Sequence, residues 1–416
     1  MLQALTICAF VSLATSAGGI AQPALRHSNV PTVRIGLFSL FKTELLHARV
    51  TRGESAMIET GRAAGATAIT SGDSVRVRLR GKGIDLVVLD SHNRVKRSIN
   101  TTEARIAPQG NANLELIIPG RMKREVRGRL SVTTAKGQGR SVLQITLLTD
   151  VESAVASVTA AEVSGHRELE AIKALSIIVR TYMLSHKGRH KDEGFDFCDT
   201  THCQLYRGES DLSEEIAKPQ VASAVESTAG QWLSFEKEPV EVYFTAVCGG
   251  LTATPEMVWG GTISGRYHYK RVACQWCNKS QYLNWERLAS ASAVIEALSA
   301  ATGRRLSAEA ELKVESEKSG QLTLKVFIRD RGRQTVMTAD EFRRAVGRRL
   351  GWNKVISTTF SIERRGERMI FRGKGFGSQV GLCLIGAVAQ AAAGRPYKDI
   401  LGFYFPQAEI SGAAAQ

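Results

Sequence analysis

From Thr32 to about Thr149 apolar and polar residues alternate in short runs, VRIGLFSL, SVRVRL, IDLVVLD, LELIIP, GRLSVTT and SVLQITLL, divided by Gly, Asn, Asp and Ser. Such runs predict β-strands joined by turns, each strand presenting one face to a core. The period then changes. Leu169, Ile172, Leu175, Val179 and Tyr182 recur at steps of three and four, so LEAIKALSIIVRTYML predicts a helix with a buried stripe and with Glu170 and Lys173 on the other side. Ser164 is a candidate cap for its entrance, although Gly165 blurs the start by a turn. Asp211 to Val242 predicts a helix stopped at Gly230 and then a strand. Beyond Tyr282 helix alternates with strand, and the small-residue helix QVGLCLIGAVAQAAAG ends at Gly394 with Pro396 beyond. The pattern as a whole predicts an α+β protein, β-rich at first and mixed afterwards.

Composition adds compartment and partners. A chain of 416 residues exceeds what one core usually holds. Met1 to Ala21 carries the apolar run LTICAFVSLA followed by small residues, the size of a secretory leader, though it lacks the usual positive start. A cleaved signal at 1–21 is therefore expected, with the mature protein exported to the periplasm or cell wall. No later stretch is long and apolar enough for a transmembrane helix. The net charge of +15 suits an anionic envelope polymer, with simple solubility as the competing reason. Lys and Arg are spread along the chain and not gathered with aromatics, which argues against a nucleic-acid partner. Of seven cysteines Cys8 would leave with the leader, and the six that remain suggest disulfides in an exported chain. Cys274-Gln-Trp-Cys277 with Cys248 admits more than one bridge.

Candidate chemistry concentrates between Glu162 and Tyr206. Glu162 and Glu170 flank the entrance of the predicted helix, where solubility and the helix dipole are the plainer reasons for a Glu. His190, Cys198, His202 and Cys203 form a donor set for tetrahedral Zn²⁺ at a spacing unlike a standard finger, and a Cys198–Cys203 disulfide competes. Gln204 and Tyr206 can hydrogen-bond and stack, although elsewhere they would pass as ordinary strand residues. Gly249-Gly250, flanked by Thr245 and Thr252, permits a tight turn and a close backbone approach.

LEAIKALSIIVRTYML resembles the signature helix of the SpoIID/LytB family, the stage II sporulation D proteins and amidase enhancers. EVYFTAVCGGLTATPEMVW and GFGSQVGLCLIGAVAQAAAGRPYKDILGFYFP resemble segments that follow it in that family, and the likeness runs from about Val126 to Pro406. It implies a SpoIID-like mixed core over 126–410 after a β-rich region at 30–125. It further implies a lytic transglycosylase that cuts peptidoglycan between MurNAc and GlcNAc, on strands stripped of peptides, leaving 1,6-anhydro ends. A single Glu would serve as acid and then base. Glu162, aligned with the Glu of the family's Gly-Glu-Met-Pro, is the first candidate and Glu170 the second. By the same resemblance Cys198 and Cys203, then His202 and His190, are zinc ligands; Gln204, Tyr206, Tyr243 and Thr245 are the candidates for binding substrate, with Ser378 and Gln379 as candidates for lining the cleft. The chain departs from the family at Val163-Ser164 in place of Met-Pro, at Ser378-Gln379 within the usual Gly-His-Gly-Val-Gly, and at Leu384 in place of Gln. The Ser378-Gln379 loop and the missing Met-Pro count for the alternative to the transglycosylase, a non-catalytic peptidoglycan-binding enhancer of an N-acetylmuramoyl-L-alanine amidase.

Overall fold

The computed structural model describes residues 31–52, 55–61, 66–137, 139–163, 165–209, 218–261, 266–317 and 322–412; the expected leader and Ser164 lie outside them. The alternating runs form β1 (Thr32–Leu37), β2 (Leu45–Arg52), β3 (Ser55–Thr60), β4 (Thr67–Thr70), β5 (Ser74–Arg80), β6 (Gly83–Leu89), β7 (Val95–Thr101), β8 (Ala104–Pro108), β9 (Asn113–Ile118), β10 (Met122–Val126), β11 (Arg129–Gly137) and β12 (Arg140–Asp150). They make two sheets, ordered β1-β12-β11-β8-β3-β4 and β10-β9-β2-β5-β6-β7. Ile58, Ile106, Leu130 and Leu147 from the first and Leu46, Val77, Leu86 and Leu116 from the second share one buried core. Burying each such side chain contributes about 1.5–3 kcal/mol, which is why the period of two persists strand after strand. β11 pairs with β8 through Leu130↔Ile106, so strands from either side of position 126 share a sheet.

β12 leads directly into α1 (Val151–Val163), whose first turn is closed by Asp150 accepting from the Ser153 N–H at 2.8 Å. α2 (Leu169–Ser185) is the predicted signature helix, and it is buried on more than the expected stripe: Ala171, Ala174, Ile177 and Ile178 are enclosed along with Ile172, Leu175 and Val179. α1 packs along it, and Arg180, 2% exposed, fastens the two helices. Its guanidinium donates to both carboxylate oxygens of Glu152, at 2.8 and 2.6 Å, and to the Gln231 carbonyl at 2.9 Å. After α2 the chain returns as β13 (Phe197–Cys198), parallel to β1 and thus a seventh strand of the first sheet.

α3 (Lys218–Ser227), β14 (Trp232–Phe235), β15 (Glu238–Pro239), β16 (Phe244–Thr245) and α4 (Pro255–Trp259) follow. Residues 285–374 then form a lobe with its own core. It contains β17 (Trp285–Ser290), α5 (Ala291–Thr302), β18 (Glu311–Ser316), β19 (Thr323–Asp330), β20 (Arg333–Thr338), α6 (Ala339–Leu350), β21 (Thr359–Arg365) and β22 (Arg368–Lys374). Phe342, Phe360, Phe371, Val326, Ile328 and Leu298 fill that core. Entry and exit strands pair directly, Trp285↔Gly373, and the Gly375 N–H donates to the Tyr282 carbonyl at 2.9 Å. The chain closes with β23 (Leu382–Cys383), α7 (Leu384–Ala392), α8 (Tyr397–Tyr404) and β24 (Glu409–Ser411). α7 and α8 pack on α2, while β24 joins β14. The architecture is the expected α+β, a β-rich first part followed by a mixed core. No helix among the described residues is long and apolar enough to cross a membrane.

Candidate functional site

Glu162 sits in the last turn of α1, half-buried, and burial pushes its carboxyl up to about 7 against the opposing pull of the Arg207 guanidinium. Desolvation wins because the charged form loses more hydration at this position than one exposed Arg returns. The segment bearing Gln204 and Tyr206 is tied to the same helix: the Ser157 hydroxyl donates to the Gly208 carbonyl at 3.0 Å and accepts from the Gly208 N–H at 2.9 Å. Helix α1 thereby aligns Glu162 with the strand-like stretch after Cys203. Arg207 was not singled out in the sequence, because a lone Arg beside a Gln-x-Tyr carries no pattern.

Glu170 is engaged differently. Its Oε1 accepts from Lys173 Nζ at 2.7 Å, and its Oε2 accepts from the backbone N–H of Tyr397 at 2.8 Å. Burial pushes this carboxyl up, but those two hydrogen bonds outweigh it and leave the group below its ordinary value. The second bond caps α8, whose own N-cap, Pro396, has no side chain able to do so. Tyr206 is buried, 2% exposed, and presents no face for stacking in this structure. Gln204 is also buried, and its amide Nε2 has no hydrogen-bond partner among the described residues.

His190, Cys198, His202 and Cys203 converge as the sequence suggested, with one donor atom from each lying within 4.8 Å of all the others. Cys203 Sγ is 3.3 Å from His190 Nε2 and 3.7 Å from His202 Nδ1, and Cys198 Sγ is 3.7 Å from that same Nδ1. The other nitrogen of His190, Nδ1, lies 2.5 Å from Glu193 Oε1, so a carboxylate orients the ring with Nε2 toward the sulfurs. Both cysteines are free thiols. The contact between them pushes the Cys198 thiol down and the Cys203 thiol up, as expected when one proton is shared by two sulfurs. The donor set and spacing fit a single tetrahedral divalent ion. Beneath it, β13 pairs with β1 at Gly36↔Cys198, and a Cβ at Gly36 would come within 2.7 Å of the Phe195 ring.

Of the remaining predicted contacts, Tyr243 is half-buried and donates its hydroxyl to Glu241 Oε1 at 2.7 Å; His186 Nε2 lies 3.4 Å from the same oxygen, and the Trp259 ring is 4.7 Å from that of Tyr243. Thr245 is buried, and its hydroxyl donates to the Phe376 carbonyl at 2.8 Å. Gln379, 2% exposed and at φ 66°, is an internal bracket: its Nε2 donates to the Cys248 carbonyl at 2.8 Å and its Oε1 accepts from the Thr359 hydroxyl at 2.5 Å. Ser378 is half-buried, and its carbonyl accepts from Thr358 at 3.0 Å. The expected tight turn exists at Gly249, φ +74°, where a Cβ would lie 3.0 Å from the Gly375 nitrogen. A second cluster, Cys248, Cys274, Cys277 and Cys383, adds Cys383 to the three cysteines that the sequence grouped as alternative disulfide partners. Its four sulfurs lie within 4.8 Å of one another, all buried and all free thiols.

A family model described as SpoIID, Stage II sporulation protein, matches residues 140–235, the segment that holds Glu162, Glu170 and the His/Cys cluster. The chain is 26% identical over 297 residues to Stage II sporulation protein D of Bacillus subtilis, covering 69% of this chain and 80% of that protein. It is 29% identical over 264 residues to an uncharacterized protein of Brachyspira hyodysenteriae, covering 63% of this chain and 66%, just short of two thirds, of that relative. The amidase enhancer of Bacillus subtilis is 22% identical over 282 residues, 59% of this chain and 38% of that protein. On the matched segment and the sporulation-protein relatives together, the chain is similar to members of the SpoIID/LytB superfamily.

Proposed function

We propose that this protein binds peptidoglycan outside the cytoplasm and works with an N-acetylmuramoyl-L-alanine amidase. The observation that carries the reading is the similarity to a protein named amidase enhancer over 59% of this chain. Two observations support a sugar polymer as ligand. Tyr243 and Trp259 offer half-buried aromatic faces beside the Glu241 carboxylate, a pairing suited to sugar rings and hydroxyls. The net charge of +15 favours an anionic wall. Zn²⁺ is the ion proposed for His190, Cys198, His202 and Cys203. With four protein ligands and no open position, such an ion would hold the loop after α2 against β1.

A second reading gives the protein chemistry of its own, and one observation favours it: Glu162, with its carboxyl raised to about 7, keeps a proton to donate at neutral pH. In that reading Glu162 protonates the leaving glycosidic oxygen and then accepts a proton from the sugar's own C6 hydroxyl, which closes the anhydro ring without water. Glu170, committed to Lys173 and to the cap of α8, is a positioning residue. The test incubates purified protein with sacculi and with peptide-free glycan strands, alone and with an N-acetylmuramoyl-L-alanine amidase, and analyses products by mass spectrometry. The first reading expects binding to sacculi and faster release of stem peptides by the amidase, equally with Glu162→Gln. Anhydro-sugar ends from the wild type that disappear in Glu162→Gln and persist in Glu170→Gln select the second. Absence of binding to either substrate overturns both.

A further inference from the structure

Cys248, Cys274, Cys277 and Cys383 come from three separate stretches, and backbone pairing brings them together. β16 runs parallel to β23 with Thr245↔Cys383, an antiparallel bridge joins Val247 to Phe376, and another joins Leu251 to Ala273. The Cys274 N–H donates to the Gly250 carbonyl at 2.9 Å, and Cys277 ends the short turn Gln275–Cys277. The four thiols are 0–1% exposed.

From these four side chains we infer a second metal site, a tetrathiolate centre for one zinc-like divalent ion that ties the Gly249-Gly250 turn, the 274–277 turn and the start of α7 together. It lies outside the segment that the family model matches.

Three observations separate this from a packed cysteine core or a pair of disulfides. First, sulfur spacing: a tetrahedral ion with Zn–S bonds of about 2.3 Å holds its sulfurs about 3.8 Å apart. Cys248 and Cys277 Sγ are 3.6 Å apart and all four lie within 4.8 Å, whereas a bridge would need about 2.05 Å. An iron–sulfur cubane, which seats a multi-atom cluster between its cysteines, needs a wider cage. Second, the sulfurs receive hydrogen bonds suited to thiolates. Cys383 Sγ accepts from the Cys248 N–H at 3.3 Å and from the Gly386 N–H at 3.4 Å, in the first turn of α7, and the Tyr404 hydroxyl lies 3.2 Å from Cys274 Sγ. Third, space is reserved around them: a Cβ at Gly386 would meet the Tyr404 hydroxyl at 2.1 Å and Cys274 Sγ at 2.9 Å. Binding replaces four thiol protons by one dication, which leaves a site of net charge −2 for those donors to stabilise.

The experiment measures metal per chain in full-length protein purified without a polyhistidine tag, by plasma mass spectrometry. It compares wild type, Cys198→Ser/Cys203→Ser and Cys248→Ser/Cys277→Ser. Two ions in the wild type and one in each variant is the expected result. One ion in the wild type that vanishes from Cys198→Ser/Cys203→Ser overturns the tetrathiolate site while sparing the His/Cys site. One ion retained there and lost from Cys248→Ser/Cys277→Ser supports the inference and removes the His/Cys site. Should the second variant fail to fold, wild-type protein produced with Co²⁺ decides. Sulfur-to-cobalt charge-transfer absorption per chain is then about three times that of a Cys2His2 centre alone, six thiolates against two. Absorption at the Cys2His2 level, or a disulfide within this set found by acid-quenched alkylation and peptide mapping, overturns the proposal.

Discussion

At the scale of single residues, two glutamates ten positions or fewer apart have opposite fates because their surroundings differ. Burial raises Glu162 to about 7 from an ordinary 4.5, so between these values the unfolded chain has lost a proton that the folded protein retains. Stability from this group is therefore full below about pH 4.5 and declines as pH rises through about 7. Glu162→Gln removes that decline: relative to wild type its unfolding free energy should be higher at pH 8 than at pH 5. The gain is bounded at about 3 kcal/mol and smaller in practice for a partly solvated carboxyl. Urea titrations at the two pH values check it, and an unchanged difference between them would contradict the raised carboxyl. If Glu162 is also the acid, strand cleavage should fall as pH climbs through the same range. Both Glu162 and Glu170 were legible as candidates from their positions beside the signature helix. Their ranking needed Lys173, Tyr397 and Arg207, and of these Tyr397 lies far along the chain.

At the scale of elements, α2 is the part on which the others are assembled, and its fastening is polar. Arg180 is enclosed and shared between α1 and the Gln231 carbonyl. Arg180→Ala removes two hydrogen bonds from Glu152, which keeps the Gly230 N–H, and takes the guanidinium donor from the Gln231 carbonyl; it should cost about 1–3 kcal/mol, read as a lowered urea midpoint. Arg180→Lys, with one ammonium in place of a fork, should recover only part of it. The His/Cys loop depends on a different element contact, the close approach of β13 to β1 over Gly36. Gly36→Ala forces its new methyl into the Phe195 ring and should destabilise by about 1–3 kcal/mol. It should also weaken metal retention in a competition with a chromogenic chelator; undiminished retention would mean that the cluster does not rely on this strand pair. The periodicity of α2 was plain in the sequence, but its near-complete enclosure was not. Small residues such as Ala171 and Ala174 look neutral until α1, α7 and α8 are packed on them.

At the scale of the whole molecule, the lobe at 285–374 stands apart in its packing. Its main core is separate, although Leu322 and Leu324 pack with Ala253, Val258 and Val380, and its entry and exit are adjacent strands. Phe342, fully buried and stacked on Phe360 at 5.3 Å between ring centres, is central to it. Phe342→Ala should cost about 3–5 kcal/mol there. Hydrogen exchange followed by mass spectrometry should quicken across β17 to β22 while the amides of β5, β6 and α2 stay protected. Quickening throughout the chain would show that lobe and sandwich unfold as one unit.

What the sequence alone determined is whatever depends on neighbours a few residues away: the strand series before Thr149, the α2 helix, the α+β character, and a His/Cys set whose four members lie within a short span. Local periodicity encodes burial, and ligands spaced over one loop can meet only near that loop. What tertiary structure alone decided depends on distant partners. It joined strands across position 126 into one sheet, buried Tyr206 and Gln379, assigned Glu170 to the cap of α8, and drew Cys383 to Cys248, Cys274 and Cys277. Such contacts arise where strand pairing and core packing bring remote segments together, and no pattern within a single stretch records which segments those will be.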